Sequence, residues 1–112
     1  LAKTYVSAIR DIVVALGTQE GRWFRPSDLV LMVEVAQTSL RDDLGRKARD
    51  YAQWGAPVYW VVDLDGQQVD VFSAPQGTGY QAQRAVAADG HLQLPRTDGT
   101  ISVAAVLRLP AS

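Results

Sequence analysis

Two acidic residues stand beside or inside apolar runs of the chain, where charge is normally excluded. Asp11 precedes the apolar run 12–16, and Glu34 interrupts the apolar run 29–35. Burying an ionised carboxylate is costly unless a cation, a hydrogen-bond network or an open cleft lies beside it. Two carboxylates that converge from neighbouring strands would form an oxygen site for Mg²⁺, which typically takes one or two carboxylates and keeps several waters.

Lys47 is the residue that could complete such a site. It lies in the segment 42–54, whose apolar residues recur at helical spacing and form one face of a predicted helix. That face is formed by Leu44, Ala48, Tyr51 and Ala52. Lys47 borders the face, so its side chain could reach back over the sheet toward the two carboxylates. The residues alone leave other interpretations open: Asp11 as a loop residue at a strand end, and Lys47 as a solvated lysine paired with Asp43 four positions before it.

The surrounding pattern predicts the strands and the helix that must position these residues. Continuous apolar runs are typical of strands that are covered on both faces, and Asp65-Gly66 is a strong hairpin signal. The predicted helix 42–54 has acidic residues at its N-terminal end and is stopped by Gly55 and Pro57. The predicted strands are 12–16, 29–35, 59–64 and 69–72, with a further edge strand at 80–86 and an apolar tail at 101–109 that could be helical. This order predicts a mixed sheet with a helix packed on one face, an α/β or α+β domain.

The composition is typical of one globular domain. The chain has 112 residues, of which 47% are hydrophobic and 21% are charged, so a single domain over residues 1–112 is expected. The formal net charge of −1 excludes a protein that coats nucleic acid through bulk charge, but it does not exclude a local basic site. The absence of cysteine excludes disulfides, cysteine–zinc sites and thiol nucleophiles. No apolar run approaches the roughly 18–20 residues of a membrane span, and no signal segment opens the chain, so a cytoplasmic protein is expected.

The stretch 33–64 carries a long, ordered pattern, VEVA..SL..D...K...YA..G.P.YWVVDL. This pattern resembles the Uma-two family of endonucleases, within the PD-(D/E)xK, restriction-endonuclease-like superfamily. Upstream, residues 10–14 resemble the family's Pro-Asp strand, with Arg10 in the place of the proline. The resemblance covers about residues 5–74 well and the tail weakly.

The resemblance implies a restriction-endonuclease-like fold and a Mg²⁺- or Mn²⁺-dependent endonuclease that hydrolyses DNA phosphodiester bonds. Asp11 and Glu34 match the two acidic metal ligands of the superfamily, and the carbonyl of Val35 is expected to be a third ligand. The family typically places its lysine on the helix that follows, where Lys47 stands, and this lysine would orient the attacking water or offset charge on the phosphate. Asp43 matches another family position, whose role the resemblance does not define.

Three arginines on and beside the predicted helix are candidates for binding DNA. Arg41, Arg46 and Arg49 could contact phosphates, which position nucleic acid without reading its sequence. A solvated helix surface explains the same residues equally well. The nearby aromatic residues Trp54, Tyr59 and Trp60 are expected to pack in the core or in an interface rather than to stack on bases.

Members of the family carry a further N-terminal segment of helix and strand, and this chain is expected to be short of it. The alternative to an enzyme is a non-catalytic, truncated nuclease-like interaction module. A missing segment would leave apolar surface or a strand edge open, which favours a homodimer, although the tail 101–109 could instead fold back over the gap. DNA and a second copy of the chain are therefore the expected partners, with no membrane and no organic cofactor.

Overall fold

The predicted mixed sheet is present, and it is six strands wide. The structure, a computed structural model, describes residues 2–7, 11–16 and 29–108, with side chains from residue 30 to residue 108. The strands are β1 (Ala2–Ser7), β2 (Asp11–Leu16), β3 (Leu29–Ala36), β4 (Val58–Asp63), β5 (Gln68–Gln76) and β6 (Gly79–Ala87), and they lie side by side in chain order. The pair β3–β4 is parallel, whereas the other neighbouring pairs are antiparallel. Together with the helices this is the predicted α+β arrangement, consistent with a restriction-endonuclease-like fold.

Two short helices, rather than the predicted single one, connect the parallel strands. They are α1 (Leu40–Leu44) and α2 (Arg46–Trp54). Gly45 separates them because its ψ of −91° departs from helical geometry, and glycine is a weak helix former that tolerates such a break. The predicted stop is confirmed: Gly55 adopts a left-handed φ of 83°, and its N–H bonds to the carbonyl of Ala52.

The two faces of the sheet are covered by different parts of the chain. Alternate residues of a strand point to opposite faces, so Met32 and Ala36 of β3 pack with the helices, whereas Val33 and Val35 pack on the other side. This double coverage explains why the sequence of β3 is continuously apolar rather than alternating. Glu34 has the parity of the helix-covered face.

The C-terminal tail covers the face opposite the helices. It forms β7 (His91–Gln93), β8 (Thr100–Ser102) and α3 (Val103–Val106), with the hydroxyl of Ser102 accepting a hydrogen bond from the N–H of Ala105 at 3.1 Å. Val103 and Val106 are buried in the core of that face. The tail therefore folds back over the sheet, and it is only partly helical.

The first strand was not predicted from the sequence, whereas the hairpin between β4 and β5 was. Residues 2–7 carry no continuous apolar run, and they form β1 because they pair along their whole length with β2. The predicted hairpin at Asp65-Gly66 joins β4 to β5, and the carboxylate of Asp63 accepts a hydrogen bond from the N–H of Gly66 at 2.8 Å. In the part of the chain that the structure describes, no helix has the length and apolar character needed to cross a membrane.

Candidate active site

Glu34 lies at the centre of the sheet on the face that the helices cover. The residue is only about 1% exposed, and the strand register places it opposite Asp11 of β2 and opposite Val61 of β4. Directly opposed residues of an antiparallel pair have Cβ atoms about 4.5–5.5 Å apart. The two acidic residues singled out in the sequence therefore occupy one row of the sheet, although the side chain of Asp11 lies outside the described residues.

Lys47 reaches from α2 to the sheet, as its position on the helix predicts. Its Nζ atom lies 3.4 Å from Oε2 of Glu34 and 3.0 Å from Oδ1 of Asp43, and its side chain is 17% exposed. Burial alone would lower the pKa of the Lys47 ammonium, but the hydrogen bond with Asp43 and the charge of Glu34 outweigh this effect and raise the pKa above its usual value. Lys47 is therefore a cation at neutral pH. Its pairing with Asp43, one of the alternatives above, occurs together with the contact to Glu34.

Asp43 is the site residue whose role the sequence left undefined. It is about 1% exposed, and its Oδ2 accepts a hydrogen bond from the hydroxyl of Ser39 at 2.9 Å while its Oδ1 faces Lys47. Its backbone carbonyl accepts a hydrogen bond from Tyr59 at 2.9 Å. The spacing of Ser39, Asp43 and Lys47 at intervals of four residues was the available signal, since such residues share one side of a helix.

Tyr51 joins the same cluster from the apolar face of α2. Its hydroxyl donates a hydrogen bond to Oε2 of Glu34 at 2.7 Å, and its ring contacts the edge of Tyr59 with centroids 4.9 Å apart. Burial and the nearby charges of Asp43 and Glu34 raise the pKa of Tyr59 far above its usual value, so that its hydroxyl stays a neutral donor. The sequence predicted Tyr51 only as a core residue, because a tyrosine on an apolar face looks like any other aromatic residue.

Two carboxylates and one ammonium meet among the side chains described at this site. Glu34 and Asp43 share the single ammonium of Lys47 among the side chains described, and Asp11 stands opposite Glu34 in the register. No group of three acidic, histidine or cysteine side chains between residues 30 and 108 is arranged to hold a metal ion. The predicted metal ligands Asp11, Glu34 and the Val35 carbonyl stay a prediction, since the side chain of Asp11 is not among those described.

The three candidate DNA-binding arginines line one surface groove beside the cluster. The groove is lined by Thr38, Ser39, Arg41, Asp42, Gly45, Arg46 and Arg49. Arg46 forms ion pairs with Asp42 at 2.8 Å and with Asp50 at 3.2 Å. The hydrogen bond between Arg46 and Asp42 raises the pKa of the guanidinium and lowers the pKa of the carboxyl. The structure thus brings the three arginines together, while their binding of DNA stays a prediction.

The aromatic residues near the site differ in how deeply they are buried. Tyr59 and Trp60 are buried, as predicted, but Trp54 is 53% exposed. Trp54 ends α2, where its ring meets Tyr51 with centroids 6.2 Å apart and leaves the rest of its surface in solvent. It does not pack in the core, and packing in an interface stays a prediction for this residue.

Comparison with known proteins adds one finding to this geometry. The model of the Uma2 (Uma-two) family, described as "Putative restriction endonuclease", matches residues 7–105. The matched range contains every residue of the cluster and of the groove. No curated protein and no solved structure matches the chain.

Proposed function

The chain belongs to the Uma2 family, and we propose that it is a Mg²⁺- or Mn²⁺-dependent endonuclease that hydrolyses phosphodiester bonds of DNA. The observation that carries this proposal is the buried cluster of Glu34, Asp43 and Lys47, in which an ammonium bridges two carboxylates on the helix-covered face of the sheet. A family match supports a nuclease-like activity, and the cluster indicates where its chemistry would take place.

The residues present suit a hard divalent cation. Glu34, Asp11 and the carbonyl of Val35 would hold it, since carboxylate and carbonyl oxygens are the ligands that Mg²⁺ prefers. The buried Oδ1 of Asp43 faces the ammonium of Lys47 at 3.0 Å, and the same ammonium lies 3.4 Å from Glu34. A bound ion of this kind lowers the pKa of a coordinated water and polarises a phosphate.

The protein's own residues would act on the phosphate through charge and position. Lys47 is protonated at neutral pH, so it serves as a cation that offsets negative charge at the phosphate rather than as a general base. Asp43 holds the ammonium of Lys47 in place, and the hydroxyl of Tyr51 fixes the carboxylate of Glu34 through its 2.7 Å hydrogen bond. Asp43 and Tyr51 are therefore positioning residues in this proposal.

Cleavage of plasmid DNA in the presence of Mn²⁺ tests the proposal. Glu34→Gln and Lys47→Met should each reduce cleavage by about 100-fold or more, the usual effect of removing one group that stabilises a transition state. Asp70→Asn is the matched control, because Asp70 is a buried carboxylate in the same row of the sheet, two strands from Glu34. Cleavage that survives in Glu34→Gln would show that the activity belongs to a contaminant and would refute the assignment.

Calorimetric titration with Mn²⁺ and sedimentation at micromolar concentration distinguish the enzyme from the alternative interaction module. Metal binding that is abolished by Asp11→Ala would support the enzyme. A dimer that binds no metal would favour the non-catalytic module. The predicted homodimer is part of the same test, since a single species of 12.2 kDa would refute it.

A further inference from the structure

A basic groove lies where the chain passes from β3 through α1 into α2. Three guanidinium groups, from Arg41, Arg46 and Arg49, and the hydroxyl of Thr38 line it. Gly45, where α1 ends and α2 begins, also lines it, so the groove takes arginines from both helices. A cluster of this kind is notable in a chain whose formal net charge is −1.

The three arginines differ in whether a carboxylate of the protein already neutralises their charge. Arg46 is held by Asp42 and Asp50, so its charge is compensated within the protein. Arg41 and Arg49 are exposed, and neither forms an ion pair with any residue that the structure describes. Two uncompensated guanidinium groups on one groove attract an anion, and their planar donor geometry suits phosphate.

The groove is connected to the buried cluster through one side chain. Ser39 lines the groove, and its hydroxyl donates to Oδ2 of Asp43. Asp43 in turn holds Lys47. The proton of the Ser39 hydroxyl is engaged with Asp43, whereas Thr38 is exposed and its hydroxyl can donate to a ligand in the groove.

We infer that this groove binds a backbone phosphate of nucleic acid next to the one that is cleaved, through Arg41, Arg49 and Thr38. The inference rests on the proposed function, because only a nuclease has a phosphate that is cleaved, but the binding of the neighbouring phosphate does not require catalysis. Contacts of this type fix the position of the backbone without reading bases. The groove would therefore place the neighbouring phosphodiester at Lys47 and would contribute little sequence preference.

Fluorescence anisotropy with a short fluorescein-labelled DNA duplex, in EDTA and over a series of salt concentrations, tests the inference. Each phosphate contact contributes about −0.9 to the slope of the logarithm of affinity against the logarithm of salt concentration. Arg41→Ala and Arg49→Ala should each weaken binding and flatten the slope by about one unit. Arg108→Ala is the matched control, because Arg108 is also exposed but lies in the tail on the opposite face of the sheet.

A second pair of variants tests the same groove by removing a negative charge beside it or away from it. Asp50→Asn removes one of the two carboxylates that pair with Arg46 and so lowers the negative charge beside the groove, which should strengthen duplex binding. Asp98→Asn, which changes an exposed aspartate outside the groove, should have a smaller effect. The inference is overturned if Arg41→Ala and Arg49→Ala bind like Arg108→Ala.

This experiment separates the inference from the proposed function. Binding is measured without a metal ion, so loss of binding in the groove variants supports the groove even if no cleavage of plasmid DNA is found. Conversely, metal-dependent cleavage by a protein whose groove variants bind normally would leave the proposed function intact and would refute the groove.

Discussion

Replacing Asp43 by asparagine should destabilise the protein and lower the pKa of Lys47. Asp43 is about 1% exposed and contacts two partners, Nζ of Lys47 at 3.0 Å and the hydroxyl of Ser39 at 2.9 Å. Asparagine has nearly the same shape, so the packing around the residue is retained. It removes the negative charge and turns an N–H₂ group toward either the ammonium or the hydroxyl, both of which are donors.

The expected cost follows from the contacts of Asp43. At 3.0 Å the direct attraction between unit charges is about 5–6 kcal/mol at an effective dielectric constant of about 20. Most of this attraction is offset by the cost of removing the two charges from water. Lys47 also keeps Glu34 at 3.4 Å as a partner. The net loss of unfolding free energy should therefore be about 1–3 kcal/mol, the range for leaving one partner of a buried polar contact unsatisfied.

The effect should depend on pH in a defined direction. The folded protein holds the pKa of Lys47 above its usual value of 10.5. The stability that this contributes is fully present below pH 10.5 and is lost as the pH rises through the higher folded value. The difference in unfolding free energy between the wild type and Asp43→Asn should thus be constant near neutral pH and should shrink at strongly alkaline pH.

Urea unfolding at neutral and alkaline pH, with NMR titration of the Lys47 side chain, measures both effects. Asp42→Asn is the control, because Asp42 is the neighbouring aspartate and pairs with Arg46 in solvent rather than with a buried group. We expect it to change stability less than Asp43→Asn and to leave the Lys47 titration nearly unchanged. A wild-type titration of Lys47 in Asp43→Asn would show that Asp43 does not hold the ammonium, and the reasoning would fail.

Two further predictions concern the hairpin and the second buried carboxylate. Gly66→Ala should lower the unfolding free energy by about 1–3 kcal/mol, because an added Cβ would collide with the carboxylate of Asp63. In the control variant Gly79→Ala the added Cβ meets open space, so this change should be close to neutral. Thermal unfolding compares the two variants, and equal melting temperatures would contradict the prediction. Burial and the charge of Asp63 raise the pKa of Asp70 above its usual 3.8, so the folded state binds the proton more tightly than the unfolded state and stability falls as the pH rises through this window. Asp70→Asn should therefore be more stable than the wild type at neutral pH and should lose this advantage in acid, as urea unfolding at several pH values would show.

Most of the elements could be predicted because their signals are local. The apolar run of β3 identifies a strand that is covered on both faces, and Gly55 marks the end of α2. Asp65-Gly66 identifies the hairpin. Each of these signals acts within a few residues, through backbone geometry or through the burial of neighbouring side chains. The same signals could not show β1, whose residues become a strand only by pairing with β2.

The residues of the candidate site also differ in whether local sequence signals could identify them. Glu34 could be identified from its sequence neighbours because a charge inside an apolar strand always needs compensation, and helical periodicity alone placed Lys47 at the border of the buried face. Asp43 looked like the solvated partner of a surface lysine, and only the packing of α1 against the sheet buries it. The hydroxyl of Tyr51 meets Glu34 across 17 positions of the chain, a contact that depends on how the helix is rotated against the sheet.

The amino-acid sequence by itself determined the strands β2 to β6, the hairpin turn and the end of α2, the family that the chain resembles, and the need of Glu34 for a compensating partner. The tertiary structure alone decided that Asp43 and Tyr51 complete the cluster, that the tail covers the second face of the sheet, and that three arginines share one groove. The physical reason is distance along the chain. Periodicity and turn chemistry are encoded by adjacent residues, whereas the burial of a carboxylate and the meeting of a helix with a strand are energies of packing that exist only once the whole sheet has formed.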